Sequence, residues 1–415
     1  MNWITWMFLA ALSAETAARL WLASRQIDAV TAHRNRVPEA FQGRIALPDQ
    51  QKAADYTLAR VGLGRWATVV ESLIKIGFTI GGGLAAVDAL VRHLVRTEPW
   101  HGCLVILTVF LMLQLLGLPF TVWRTFRIEA RFGFNRISPR LFAVDLGKRL
   151  LLGLVLGAPL AWITLWLMDR MGTWWWVWAW LVCVATMLII AWAAPRFIAP
   201  LFNRFTAITD AALKERVEAL LRRCGYEAGG GVFVMDGSRR SAHGNAYFTG
   251  IGRNKRIVFF DTLLARIDVA EIEAVLAHEL GHFRLHHVRQ RLLTSLLSAL
   301  AALALLGWLA RLPQFYGAFG VPENSAMALL LFALTAPAFI FFATPIEAWW
   351  SRRQELAADE FAAKHADAGN LATALVKLYR DNATTLTPDR VHSAFYDSHP
   401  PAVVRIARLQ KLAAQ

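Results

Sequence analysis

Seven stretches of this chain, each of roughly 20 residues, are apolar enough to cross a bilayer as helices. They lie near Trp3–Trp21, Val69–Val91, Cys103–Trp123, Leu150–Met168, Trp174–Ala194, Leu292–Ala310 and Ala326–Trp350. A helix satisfies its backbone hydrogen bonds internally, which a segment in lipid requires, so most soluble architectures are excluded at once. The bulk numbers agree: 56% of the residues are hydrophobic and the mean hydropathy is +0.40. The first stretch is read as a retained span rather than a cleaved leader. Its leading segment, Met1–Trp6, carries no Lys or Arg, and no A-x-A site follows.

Charge then orders the spans. The formal net charge is +14, and a chain both basic and apolar points to Lys/Arg-rich loops on the inner side of a membrane. A nucleic-acid partner is not expected, because that would need cations gathered on a soluble module with base-reading elements. The connection Arg25–Arg65 carries about seven Lys/Arg, and so does Arg124–Arg149, whereas Thr97–Gly102, Asp169–Thr173 and Leu312–Asn324 carry about one between them. This alternation predicts an outer N-terminus and an inner, cytoplasmic C-terminus. The Trp-rich run at 173–180 reads as an interfacial anchor beside an outer loop. In the second span, Glu71 and Lys75 stand i, i+4 and are expected to pair, while Asp88 lies alone near the opposite end. Cys103, Cys183 and Cys224 form neither a disulfide framework nor a metal knuckle.

The expected fold is therefore an all-α polytopic membrane protein of about seven transmembrane helices, with a small α+β domain on the cytoplasmic side. Four regions follow: 1–194, five spans with basic loops; 195–291, a polar segment; 292–350, a two-span hairpin; and 351–415, a second polar segment on the same side as the first.

The polar segments hold the chemistry. Glu271–Arg289 reads as a helix, and within it stands His278-Glu279-Leu280-Gly281-His282. Residues four apart share a helix face, so both imidazoles reach one ion, and Glu279 sits beside it as a base for water. Alone, such a motif arises by chance in roughly one comparable sequence per hundred. A catalytic zinc site also needs a third protein ligand and an open position. His286 and His287 read as caps at the helix end. Glu355, in Ser351-Arg-Arg-Gln-Glu-Leu-Ala-Ala-Asp, is the better third ligand, because the two-span hairpin returns it to the level of His278. Asp359 shares its face and is placed to orient a ligating imidazole. Gly281 destabilises the helix by roughly 1 kcal/mol relative to Ala and implies a close neighbour. The run Arg256–Phe260 reads as a strand whose exposed edge binds extended peptide, between turns at Gly229–Gly231 and Gly250–Asn254.

These motifs, two spans apart, resemble the M48 family of membrane zinc peptidases. Further stretches resemble its CAAX prenyl protease 1 branch: HRNRVPEAF (33–41), DQQKAADYTLAR (49–60), RFGFNR (131–136), PLFNRF (200–205), HGNAYFTG (243–250), KRIVFFDTLL (255–264) and SHPPAVVRI (398–406). Phe283 and Gly244 depart from the Trp and Ser of that pattern, and neither departure removes a ligand. The resemblance implies a zinc metalloendopeptidase with one zinc ion per chain. It implies that Asn245, Ala246 and Tyr247 lie beside the cleft and bind substrate, and that His399 and Asn245 steady the substrate or oxyanion. It also implies a peptide or protein substrate, prenylated or membrane-associated. The Ala/Leu/Arg-rich composition and the lack of a retrieval tail favour a bacterial inner membrane, where turnover of membrane or misfolded proteins is the expected task. The rival readings are a non-catalytic zinc-binding membrane scaffold and a transporter. Glu279 argues against the first, and the paired motifs argue against the second.

Overall fold

In the computed structural model, residues 1–226, 231–249 and 256–414 are described. The turn expected at Gly250–Asn254 lies outside them, as do positions 229 and 230 of the other.

The chain opens with α1 (Trp3–His33), started by a capping box between Asn2 and Thr5, and returns as α2 (Leu47–Phe78). The two are tied across the apolar layer by ions as well as by packing. Glu15, buried on α1, sits 3.1 Å from Lys75 of α2 and 2.7 Å from Arg19. The expected Glu71–Lys75 pair is thus replaced: Lys75 turns to Glu15, and Glu71 faces a cavity. A buried carboxylate needs a cation more than a half-exposed one does, so the helix–helix contact outcompetes the i, i+4 pairing.

The second expected span is not one helix. It breaks after Phe78 and resumes as α3 (Gly83–Arg92), bent by 54°. Side chains at Gly81 and Gly83 would each meet Gly77 O at 2.8 Å, so only glycine fits this corner. Asp88 is buried on α3, 2.7 Å from Arg92 and 3.6 Å from His101. Next come α4 (Trp100–Trp123), prolonged by a π-helical segment Arg124–Glu129, then α5 (Pro139–Arg170) and α6 (Trp175–Ala193). Among the described residues, five helical segments are long and apolar enough to cross a membrane, and six if the bent pair is one span. With Glu15 and Arg19 in its middle, α1 is not among these, yet its Ile4, Phe8 and Leu12 pack into the same apolar core.

Beyond the spans a four-stranded sheet forms from β1 (Phe205–Ala207), β2 (Val232–Met235), β3 (Ala246–Thr249) and β4 (Arg256–Phe260). Its order is β1-β2-β4-β3, with β2 and β4 parallel and the outer pairs antiparallel. Here the sequence expectation needs correcting, since Arg256–Phe260 is internal and β3 supplies the edge. Its Ile257, Val258 and Phe259 are all buried, as a central strand demands.

Helix α7 (Ala211–Arg223) and α8 (Val269–Arg284) pack with this sheet in a second apolar core, separate from that of the spans. A capping box between Asp268 and Glu271 starts α8, and Lys377 bonds the buried Glu271 at 2.7 Å. Next, α9 (His287–Leu309) and α10 (Ser325–Ile340) form the apolar hairpin. The chain emerges from it as α11 (Thr344–His365) and ends in α12 (Ala368–Asp381), α13 (Arg390–Tyr396) and α14 (Ala402–Ala413).

Candidate metal centre

The centre forms where α8 crosses α11. A Cβ on Gly281 would lie 3.0 Å from Ala358 Cα and 3.1 Å from Phe361 Cβ, so the glycine lets the two backbones close up. That approach brings Glu355 to the histidines. His278 Nε2 and His282 Nε2 are 3.3 Å apart; Glu355 Oε1 is 3.2 Å from the latter and Oε2 is 3.5 Å from the former. Tetrahedral zinc, with ligands at about 2.0–2.1 Å, sets neighbouring donors roughly 3.3 Å apart. The three residues therefore fit zinc, and among the described residues they are the one group of three such donors within 4.8 Å of each other.

The outward nitrogens are held in turn. Asp359 Oδ1 accepts from His278 Nδ1 at 2.8 Å, which leaves Nε2 its lone pair. Asp359 is gripped by Arg405, whose Nε and Nη2 donate at 2.8 and 2.7 Å. All three side chains are buried. Burial would strip the guanidinium of its proton, but the Asp359 carboxylate outweighs that and raises its affinity for the proton. On the other ring, His282 Nδ1 lies 3.0 Å from His287 Nδ1. This contact depends on His286, which turns the chain in the left-handed region at φ 59 between α8 and α9. The expectation that His286 and His287 both cap the helix is thus corrected: the first is the corner, the second a buried partner of His282.

Glu279 is partly shielded from solvent. Burial raises its carboxyl above the usual range, opposed by the adjacent His278 and His282. His399 arrives from the segment before α14, and its Nδ1 is 2.6 Å from Glu355 Oε2 while the ring stays largely exposed. It therefore stands beside the group formed by His278, His282 and Glu355. Asn245 stands at the start of β3, its Oδ1 accepting from Ala246 N at 2.9 Å and its carbonyl from Phe260 N at 3.0 Å. Strand β3, with Ala246 and Tyr247, packs on α8, the helix that carries His278 and His282. The Tyr247 hydroxyl is directed to Met235 Sδ at 3.8 Å.

Sequence reasoning missed Arg405, His287 and Asn382. The Asn382 amide clamps Gly244, accepting from its N–H at 3.1 Å and donating to its carbonyl at 3.3 Å. One signal for Arg405 was present: a charge in the otherwise apolar run Ala402–Ile406.

Comparison with known proteins agrees with this geometry. The family described as "CAAX prenyl protease N-terminal, five membrane helices" matches residues 26–204, and peptidase family M48 matches residues 207–413. The chain is 35% identical to CAAX prenyl protease 1 of Saccharomyces cerevisiae, over 79% of this chain and 75% of the relative. It is 29% identical to the Caenorhabditis elegans homolog over 99% of this chain and 98% of that one. It is also similar to the crystal structure of S. mikatae Ste24p, with a TM-score of 0.92 and 27% identity over 99% of each chain.

Proposed function

The chain belongs to peptidase family M48, in its CAAX prenyl protease branch, and is a membrane zinc metalloprotease; from that premise we propose that His278, His282 and Glu355 hold one zinc ion per chain and that Glu279 is the general base. The convergence of the two Nε2 atoms and the Glu355 carboxylate carries this reading. When bound, zinc supplies Lewis acidity, polarising a carbonyl and acidifying water.

Glu279 takes the proton of the attacking water and passes it to the leaving amine as the peptide C–N bond breaks. Its burial-raised affinity for a proton suits both halves of that transfer. Asp359, with Arg405 behind it, fixes the His278 tautomer, and His287 orients His282. His399, its Nδ1 engaged by Glu355 and its ring largely exposed, is placed to steady the substrate oxygen as it gains negative charge. The substrate lies extended along the free edge of β3, Ala246–Thr249, beginning beside Asn245 and pairing through main-chain hydrogen bonds. Tyr247 acts there through its backbone, since its hydroxyl is directed to Met235.

The substrates are peptides of membrane-associated proteins, prenylated ones included, because the named relatives are CAAX prenyl proteases. The charge count of the loops supports a cytoplasmic catalytic side, and the composition favours a bacterial inner membrane with membrane-protein turnover as the task. A scaffold or transporter has no use for Glu279 beside three zinc donors. The decisive experiment is Glu279→Gln. Zinc per chain is expected to stay at one while cleavage of a quenched peptide falls by about 10²–10⁴; undiminished cleavage would sink the assignment.

A further inference from the structure

A cavity of about 1170 Å³ lies in the helix bundle, and its wall includes His243, Asn382 and Asp397. Three arginines line it, one from each of three spans: Arg60 of α2, Arg124 at the end of α4 and Arg149 of α5. Their level follows from the junction between bundle and sheet unit, where Tyr56, Ile128, Phe134 and Ala242 pack together. At that junction Tyr56 donates to Glu129 at 2.7 Å, His243 approaches Glu129 at 3.5 Å, and Asp145 is bound by Arg240. Arg60 lies four residues beyond Tyr56, Arg149 four beyond Asp145, and Arg124 five before Glu129. At about 1.5 Å of rise per residue, each stands about one turn, roughly 6–8 Å, from the junction toward the membrane core. By that rise the three positions share roughly one level on the cavity wall, an arginine ring.

Among the described residues none of the three makes an ion pair, whereas Asp145, the nearest acid in sequence, is held by Arg240 at 2.7 and 2.9 Å. The remaining acids of the wall are Glu71, deeper in the bundle, and Asp397, near His399. On the other side of the ring the wall includes His243, three residues before β3 begins. A peptide lying on β3 therefore has one end leading into this cavity. Three guanidiniums there repel an N-terminal ammonium and attract a carboxylate. That charge selects the peptide direction antiparallel to β3, with the residues after the scissile bond entering the cavity.

We propose that Arg60, Arg124 and Arg149 bind the free C-terminal carboxylate of the substrate peptide. The inference rests on the peptidase reading above. An oxyanion of the same chemistry could also come from an anionic lipid headgroup, and the test separates the two.

A quenched-peptide library, synthesised once as free acids and once as C-terminal carboxamides, is cleaved by the zinc-loaded full chain in neutral detergent. The acids are expected to show kcat/KM about ten- to a hundredfold above the amides. In Arg60→Gln, Arg124→Gln and Arg149→Gln the ratio falls toward one while amide cleavage is retained, which also reports correct folding. Lysine at the same positions restores part of the ratio. Equal rates for acids and amides in the unmodified chain overturn the proposal, and so does a preference that survives the triple glutamine variant. Amide cleavage that responds to added phosphatidylglycerol only when the arginines are present assigns the ring to lipid and overturns it too. Chelator-sensitive amide cleavage, lost in Glu279→Gln, tests the peptidase reading separately from the ring.

Discussion

The molecule buries charge in two regions and treats it oppositely. Among the described residues, the buried carboxylates of the helix bundle meet cations of the chain itself: Glu15 meets Lys75 and Arg19, Asp88 meets Arg92, and Asp145 meets Arg240. At the α8–α11 crossing, Glu355 and Asp359 share one guanidinium, that of Arg405, which bonds Asp359 through two nitrogens and lies 3.8 Å from Glu355. Glu355 is thus left chiefly to the two histidines and to an ion they would hold with it. Buried charge satisfied by the chain holds helices together, whereas a buried carboxylate faced by two imidazole nitrogens at zinc-donor spacing is a candidate metal site.

Variants at the crossing should therefore change metal, and variants in the bundle should change only stability. His278→Ala or Glu355→Ala is expected to bring zinc per chain from one to near zero, measured on the purified protein, and to abolish cleavage. Zinc retained at full occupancy in either variant would break the comparison outright. Asp359→Asn keeps the three donors but loosens the His278 tautomer, so zinc affinity should fall about ten- to a hundredfold in a chelator competition. In Lys75→Met, Arg19 still serves Glu15, and thermal unfolding in one detergent should show a loss of about 1–3 kcal/mol with zinc per chain unchanged. The smallest effect belongs to Arg92→Met. Its side chain is 54% exposed, so a loss of about 1 kcal/mol or less is expected, again without loss of zinc.

Much of the crossing was legible in the residues. His278 and His282 share a face because α-helical spacing puts them there, and Glu355 and Asp359 do so for the same reason. The apolar hairpin between the two motifs returns the chain to its starting level, so the third ligand followed from topology. Glycine at 281 predicted a close neighbour, and Ala358 is that neighbour. Local spacing failed wherever the partner lay on another element. Lys75 had a plausible partner one turn away in Glu71, yet bonds Glu15, 60 residues distant. The strand at Arg256–Phe260 read as an edge because its neighbours, β2 and β3, cannot be told from its own side chains. Arg405 reaches Asp359 from a helix 46 residues on.

What the amino-acid order settled alone is everything governed by short-range periodicity: apolar helices long enough for a bilayer, two imidazoles one turn apart, two carboxylates one turn apart, and a base between the imidazoles. Only the tertiary structure decided which buried charges neutralise each other and which remain for an ion. That outcome depends on distances between elements far apart in the chain, and Coulomb and hydrogen-bond energies inside a protein change steeply over a few ångströms. The αL corner at His286, the Gly281 crossing and the bidentate Arg405 set those distances, and with them they set the place of the metal centre.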